Sequence, residues 1–427
     1  MSVDEARSQA RARIGVAAGE RPGRGRVRTV AAYFGPAFVA SVAYVDPGNF
    51  ATNFAAGSAH GYELVWVIVM ADAMAIVVQY LSSKAGLATG RSLPELCRDR
   101  FGRGANTVLW VQAEVIAMAT DLAEFVGAAV GMNLVFGIPL VPAGLVTAVV
   151  AFAILGLEQR GYRRFELAVI ALLALVGVGF LYLFLTAGGQ HYGQMADGLV
   201  PHLGGADAQS LTVGIIGATV MPHVVYLHSA LHGKRLAATG PEKRRTLLAY
   251  NKWDCILGLG LAGLVNLSML CIAAALFHKP GLTGVSDLGP VHAHLETLIG
   301  GGGALAFSIA LMASGLSSSS VGTYAGQVVM AGFMGWRIPL AARRAVTMLP
   351  SLIVLACASN TGQALVLSQI VLSFGIPFAL VPLLLVTSDR RVMADMTNRR
   401  STSALMLVIT VVITALNAGL ICGALIR

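Results

Sequence analysis

Two short motifs place polar chemistry inside apolar runs. Ala43-Tyr44-Val45-Asp46-Pro47-Gly48-Asn49 interrupts the first hydrophobic stretch, and Ala218-Thr219-Val220-Met221-Pro222-His223 interrupts the sixth. Proline has no N–H, so within a helix it leaves the carbonyl four residues earlier without its donor. Pro47, followed by the permissive Gly48, frees the carbonyl of Ala43, and Pro222 frees that of Ala218. A freed carbonyl in hydrocarbon must find a neighbouring helix, water or a cation. Beside the two carbonyls stand a carboxylate (Asp46), an amide (Asn49) and a thioether (Met221), a donor set that suits a divalent cation. The plainer reading is two proline kinks with one buried, hydrogen-bonded Asp. Asp, Pro, Gly and Asn in one break, mirrored by Met-Pro-His in the other, favour the cation site.

A second set of polar residues lies in other apolar runs. Asp121 and Glu124 are three residues apart and share one helix face. Two carboxylates at membrane depth need cationic help to stay charged together, and Arg343 and Arg344, at the start of the ninth run, can supply it. That cluster either handles protons or fixes helix packing. His223 and His228 lack the spacing of a zinc-protease motif, and no phosphate-binding loop is present, which argues against an ATP-driven pump. Asp72, Gln79 and Glu114 read as interhelical hydrogen-bonding groups. The Gly315–Gly322 stretch, with Ser314 and Ser317 to Ser320, reads as a close-packing helix face.

The elements that carry these residues follow from composition. The chain has 427 residues, 56% hydrophobic and only 12% charged, with a mean hydropathy of +0.73. Those charges are too few to cover the two or three soluble domains that such a length would make. Five cysteines occur singly, with no CxxC pair. The fold class is therefore an all-α polytopic membrane protein. A crossing needs about 20 apolar residues. Eleven such runs are found, at 31–57, 64–88, 107–136, 141–157, 165–187, 210–232, 255–278, 301–333, 341–358, 362–387 and 402–425. With loops assigned to alternate sides, all 30 Lys and Arg residues except Lys279 and Arg427 fall on one side. The positive-inside rule puts that side, and the N-terminus, in the cytoplasm and the C-terminus outside. The net charge of +9 thus belongs to membrane topology and not to nucleic-acid binding.

Interrupted helices at matching places in two halves point to an inverted-repeat carrier with its site between the breaks. The expected organisation is a disordered basic tail (1–29), a first five-helix repeat (30–190), a second, inverted one (208–388) and an additional eleventh helix (400–427).

Asp46-Pro-Gly-Asn49 and Met221-Pro-His223 resemble the paired signatures of the NRAMP metal-ion transporters, as do the surrounding GPAFVASVAYVDPGNFATN, ATDLAEFVGAA and GIIGATVMPHVVYLHSAL. The resemblance implies a LeuT-like fold of five plus five helices and proton-coupled import of Mn²⁺, with Fe²⁺ and similar ions. It implies metal ligation by the side chains of Asp46, Asn49 and Met221 and the carbonyls of Ala43 and Ala218. Gln369 of the tenth span would join in some conformations. It further implies a proton route from Asp46 through His223 to Asp121, Glu124, Arg343 and Arg344. The expected protein is a monomeric, multi-pass plasma-membrane carrier, not an enzyme, with no permanently bound cofactor; metal and H⁺ are its cargo. The alternatives are a LeuT-type amino acid or amine carrier, and a related Mg²⁺ carrier. An organic cation would want aromatic faces, and hard Mg²⁺ would not want Met221.

Overall fold

The structure is a computed structural model that describes residues 35–159, 162–202, 204–236, 241–279, 285–336, 338–357 and 360–426. The expected tail, residues 1–29, lies outside the described residues. Every regular element among the described residues is helical. The first apolar run is two helices, α1 (Pro36–Ala43) and α2 (Pro47–His60). α3 (Val65–Thr89), the short α4 (Leu93–Arg100), α5 (Arg103–Phe136), α6 (Leu140–Gln159) and α7 (Tyr162–Ala187) follow, then the single-turn α8 (Tyr192–Asp197). The sixth run is again two helices, α9 (Ala206–Thr219) and α10 (Pro222–Leu236). The remainder is α11 (Pro241–Phe277), α12 (Leu288–Ile299), α13 (Gly301–Met334), α14 (Leu340–Cys357), α15 (Thr361–Ser388), the short α16 (Arg390–Met393) and α17 (Arg400–Ile426).

Nine stretches among the described residues are long and apolar enough to cross a membrane, one of them, Ala206–Gly233, through the α9–α10 break. α1 and α2 are each too short alone, and α14 contributes only a 12-residue apolar stretch, Val346–Cys357. Counting the α1–α2 pair and α14 as crossings gives the eleven expected. Four short helices, α4, α8, α12 and α16, escaped a search for apolar runs, and one long one, α11, was only partly found. α4 is built by polar logic: Ser92 and Glu95 form a capping box, with Pro94 in the first turn. α12 is too short to span. α11 starts 14 residues before its expected apolar run, because its first turns are the charged Pro241-Glu-Lys-Arg-Arg.

Burial ranks the spans. Of an 18-residue apolar stretch in Ala206–Gly233, 89% is buried, against 28% in Arg163–Ala187 and in Arg400–Gly423. The broken sixth span is therefore central, while α7 and α17 turn most of their surface outward, with Leu181, Leu185, Val408 and Val411 exposed where lipid would lie. α5 and α13 pack along the greatest length in the molecule. Small residues allow that approach: a Cβ at Gly315 would meet Ala128, and one at Gly131 would meet Met312 backbone. Ser317, Ser318 and Ser320 return their hydroxyls to their own helix, so the serine-rich face is mainly a packing face. On the basic side, Arg100 of α4 holds Asp389 at 2.6 Å and keeps its carboxyl below the usual carboxylate range.

Candidate functional site

The two breaks lie side by side at the centre of the bundle. α1 ends in a tight turn, with Tyr44 N donating to the Ser41 carbonyl and Val45 N to that of Val42. Asp46 then adopts an extended conformation and caps α2, its Oδ1 accepting from Asn49 N at 2.8 Å. In the second break, α9 closes with Val220 N donating to Ile216. The Ala218 carbonyl is left facing the first break, as Pro222 requires.

One end of the Asn49 amide lies 2.7 Å from Asp46 Oδ1, 3.2 Å from the Ala218 carbonyl and 3.3 Å from the Tyr44 carbonyl. If that end is the NH₂, it has two protons for three acceptors. If it is the oxygen, four oxygens face one another, and only a cation holds such a group together. Asp46 Oδ2 is buried and makes no hydrogen bond, a costly state for a carboxylate unless a positive partner arrives. Gln369 has the same character: Nε2 donates to Ser368, and Oε1 is buried without a hydrogen bond. A Cβ at Gly48 would strike the Gln369 side chain, and one at Gly217 its backbone carbonyl, so α15 touches both breaks. Met221 and Ala43 are also fully buried. From the first break, the Tyr44 carbonyl, next to Ala43 in the chain, faces this end of the Asn49 amide. None of these groups meets solvent, so the site is closed from both faces.

The break is held open by its neighbours. Ser314 of α13 donates to the Val45 carbonyl at 2.5 Å. Asn266 of α11 donates to the Tyr44 carbonyl at 2.8 Å and accepts from Asn53 at 3.0 Å. Gln79 of α3 joins Tyr44 Oη at 2.5 Å to His228 Nδ1 at 2.9 Å. A Cβ at Gly127 would fall on the Pro47 ring. Gly127→Val is therefore expected to overpack this contact at a cost of about 1–3 kcal/mol, read as a lowered melting temperature of the purified protein.

His223, two residues after Met221, points to α5. Its Nδ1 lies 3.3 Å from Thr120 Oγ1, and its Nε2 is buried without a hydrogen bond. Asp121 follows Thr120 in the chain and is nearly buried; Glu124, one turn on, lies against Gly322 of α13, where a Cβ would come within 2.7 Å of Oε2. Among the described residues, the carboxylate paired with Arg343 is Glu114, one not counted in the expected cluster. Arg343 is 8% exposed, holds Glu114 Oε2 at 2.8 Å and donates to the Gly326 carbonyl. Glu114 is seven residues before Asp121 and so on the same helix face; α14 enters beside its turn of α5. The side chain of Arg344 lies outside the described residues. Tyr44, Thr120 and Asn266 were not singled out from sequence, and Ser314 was read only as part of a close-packing face. An intramembrane amide such as Asn266 was the available signal, whereas the other three act through a backbone carbonyl or a hydroxyl too common to stand out.

Comparisons with known proteins agree with this geometry. The chain is 49% identical over 395 residues to the divalent metal cation transporter MntH of Deinococcus radiodurans, covering 92% of this chain and 90% of that one. It is 45% identical over 389 residues to MntH of Bacillus subtilis, covering 91% of each. A crystal structure of a mutant Eremococcus coleocola manganese transporter superposes with a TM-score of 0.83 at 31% identity, covering 93% of this chain and 87% of that one. MhsT in complex with L-phenylalanine (TM-score 0.60, 12% identity) and the nucleobase-cation-symport transporter Mhp1 (0.60, 14%) share the fold alone, which is LeuT-like. The profile of the natural resistance-associated macrophage protein-like family matches residues 37–423, and with these relatives it shows that the chain belongs to that Nramp family of transporters.

Proposed function

We propose that this protein imports divalent transition-metal ions, Mn²⁺ foremost with Fe²⁺ and similar ions, by alternating access coupled to protons. The observation that carries the reading is the buried Asp46 Oδ2 without a partner, beside an amide end gathered among Asp46 Oδ1 and the Tyr44 and Ala218 carbonyls. A partly dehydrated divalent ion supplies the missing positive charge and needs a direct carboxylate in return. The relatives' description as divalent metal cation transporters, and the Eremococcus protein's as a manganese transporter, support the same cargo. The proton arm rests on His223, on Thr120 beside Asp121, and on Glu124 and Glu114 along one face of α5. The basic loops face the cytoplasm of the plasma membrane and the C-terminus the exterior. The test is purified protein in liposomes, with Mn²⁺, Fe²⁺, Mg²⁺ and an amino acid offered outside while internal pH is recorded. Mn²⁺ uptake with internal acidification is expected. Amino acid uptake without metal uptake would overturn the cargo, and metal uptake without acidification would overturn the coupling.

Met221 sets a second expectation. A thioether is a weak ligand for Mn²⁺ and a far poorer one for Mg²⁺ and Ca²⁺, which prefer oxygen. As a ligand beside oxygen donors, it would reject abundant hard ions. Met221→Ala is expected to keep substantial Mn²⁺ uptake while excess Ca²⁺ or Mg²⁺ becomes a competitor, and softer Cd²⁺ loses more affinity than Mn²⁺. Unchanged selectivity would reduce Met221 to a packing residue.

A further inference from the structure

At the basic ends of the helices, the cytoplasmic ends in the orientation proposed above, a cavity of about 520 Å³ opens where α3, the start of α11 and the connection into α17 meet. Lys84, Lys252 and Arg399 line it against one carboxylate, Asp395, so two positive charges are in excess. The walls are tied to the bundle. Asn251 of α11 donates to Ser83 of α3 at 2.5 Å. In the connection, Asn398 N donates to the Thr387 carbonyl at 3.0 Å, and its side-chain amide to Thr387 Oγ1 at 2.9 Å.

Lys84 is a cation that its protein neighbours do not balance. It is 8% exposed, and its Nζ donates to Asn398 Oδ1 at 2.8 Å. An ammonium carries three donors, and one neutral amide does not offset a charge withdrawn from water. Among the described residues, no carboxylate stands within ion-pair distance of Lys84, Lys252 or Arg399. Apolar surface continues from the same cavity. Tyr80 lines it, and Val77, Ala73 and Val69 follow on that face of α3, three, seven and eleven residues away. Ala73 and Val69 are exposed. Asp72, one position off this face, turns to Gly263 of α11, where a Cβ would meet its carboxylate. Eleven residues of helix rise roughly 16 Å, close to half of a hydrocarbon core about 30 Å thick. Trp253, next to Lys252, is exposed at the basic end of α11, and indoles favour the headgroup region. A basic cavity at the head of an apolar face one leaflet deep matches a phospholipid and not a soluble anion.

We propose that this cavity holds the headgroup of an anionic phospholipid of the adjoining leaflet. Lys84, Lys252 and Arg399 supply the charge for its phosphate, and one acyl chain lies along the Tyr80–Val69 face of α3. Basic pockets between helices on the cytoplasmic side suit such headgroups. The experiment titrates the purified full chain, in neutral detergent, with phosphatidylglycerol or with phosphatidylcholine of the same chains, and counts bound lipid by native mass spectrometry. One phosphatidylglycerol is expected to bind about tenfold more tightly than phosphatidylcholine, with a preference that shrinks as salt is raised. Lys252→Gln and Arg399→Gln lie on exposed side chains, so the melting temperature without lipid should hold. Each should weaken phosphatidylglycerol binding about fivefold, and the double variant should weaken it further. Lys84→Met, which keeps the buried stem and removes the charge, should lose the preference for the anionic lipid. A large excess of inorganic phosphate should leave the lipid bound, because phosphate brings no chain to α3. Equal binding of the two lipids, unchanged affinity in the double variant, or displacement by inorganic phosphate would overturn the proposal. The readout is binding in detergent, so it stands apart from membrane orientation and from the fate of the proposed metal cargo.

Discussion

Asp46→Ala is expected to lower Mn²⁺ uptake at least about 100-fold while the protein keeps its fold. Among the described residues, the Asp46 carboxylate is the anionic side chain at the meeting of the two breaks, and its Oδ2 has no hydrogen bond. Truncating one member of a buried charge pair costs about 2–5 kcal/mol, and each 1.4 kcal/mol is a factor of about ten. Stability should change much less, because two effects oppose each other. The variant loses the cap that Asp46 Oδ1 gives Asn49 N, worth about 1 kcal/mol. It also removes a buried oxygen that has no hydrogen bond, a relief of about 1–3 kcal/mol. The melting temperature of the metal-free protein should therefore stay close to that of the parent, and the stabilisation that added Mn²⁺ gives the parent should vanish. Wild-type uptake by the variant would place the metal site elsewhere. A large fall in melting temperature would make Asp46 a structural cap and not a ligand.

What the sequence shows and what it hides divide along a physical line. Pro47 and Pro222 announce the breaks because a missing N–H has the same consequence in any context. The Ala218 carbonyl, freed by Pro222, does face Asn49. The Tyr44 carbonyl was not legible, since it depends on α1 closing with three-residue turns at Tyr44 and Val45. Tertiary packing against Ser314 and Asn266 accompanies that ending, and no local propensity dictates it. Glycines divide the same way. Gly48 reads as part of a break, but the roles of Gly127 and Gly217 emerge only when Pro47 and Gln369 are seen pressed against them. Charge pairing between helices is the hardest to read. The spacing of Glu114, Asp121 and Glu124 fixes one face of α5, yet it cannot say which turn a residue of α14 will reach.

That last point bears directly on Arg343→Ala, the other large expected effect. Arg343 is 8% exposed and Glu114 19% exposed at the side chain, with 2.8 Å between them. A pair this buried owes much of its apparent worth to what is left when one partner goes, and removal of one partner costs about 3–5 kcal/mol. Arg343→Ala should thus destabilise the protein strongly and leave the Glu114 carboxylate uncompensated. The Trp110 indole is the donor that remains beside it. Adding Glu114→Gln removes the stranded charge, so the double variant should recover most of the lost stability, and the coupling between the two substitutions should be about 1–3 kcal/mol. Stability alone would be satisfied by a packing role, so proton movement decides between the two readings. Seven residues separate Glu114 from Asp121, about 10 Å along α5, with Thr120 and His223 beyond. If Glu114 and Arg343 serve the proton arm, the refolded double variant in liposomes should bind Mn²⁺ as the parent does but acidify the interior several-fold more slowly per metal ion carried. Parental acidification per ion would confine the pair to packing. An equal loss of metal binding would mean that the pair also acts on the site between the breaks, although the hydrogen bonds of Arg343 go to Glu114 and the Gly326 carbonyl and not to either break.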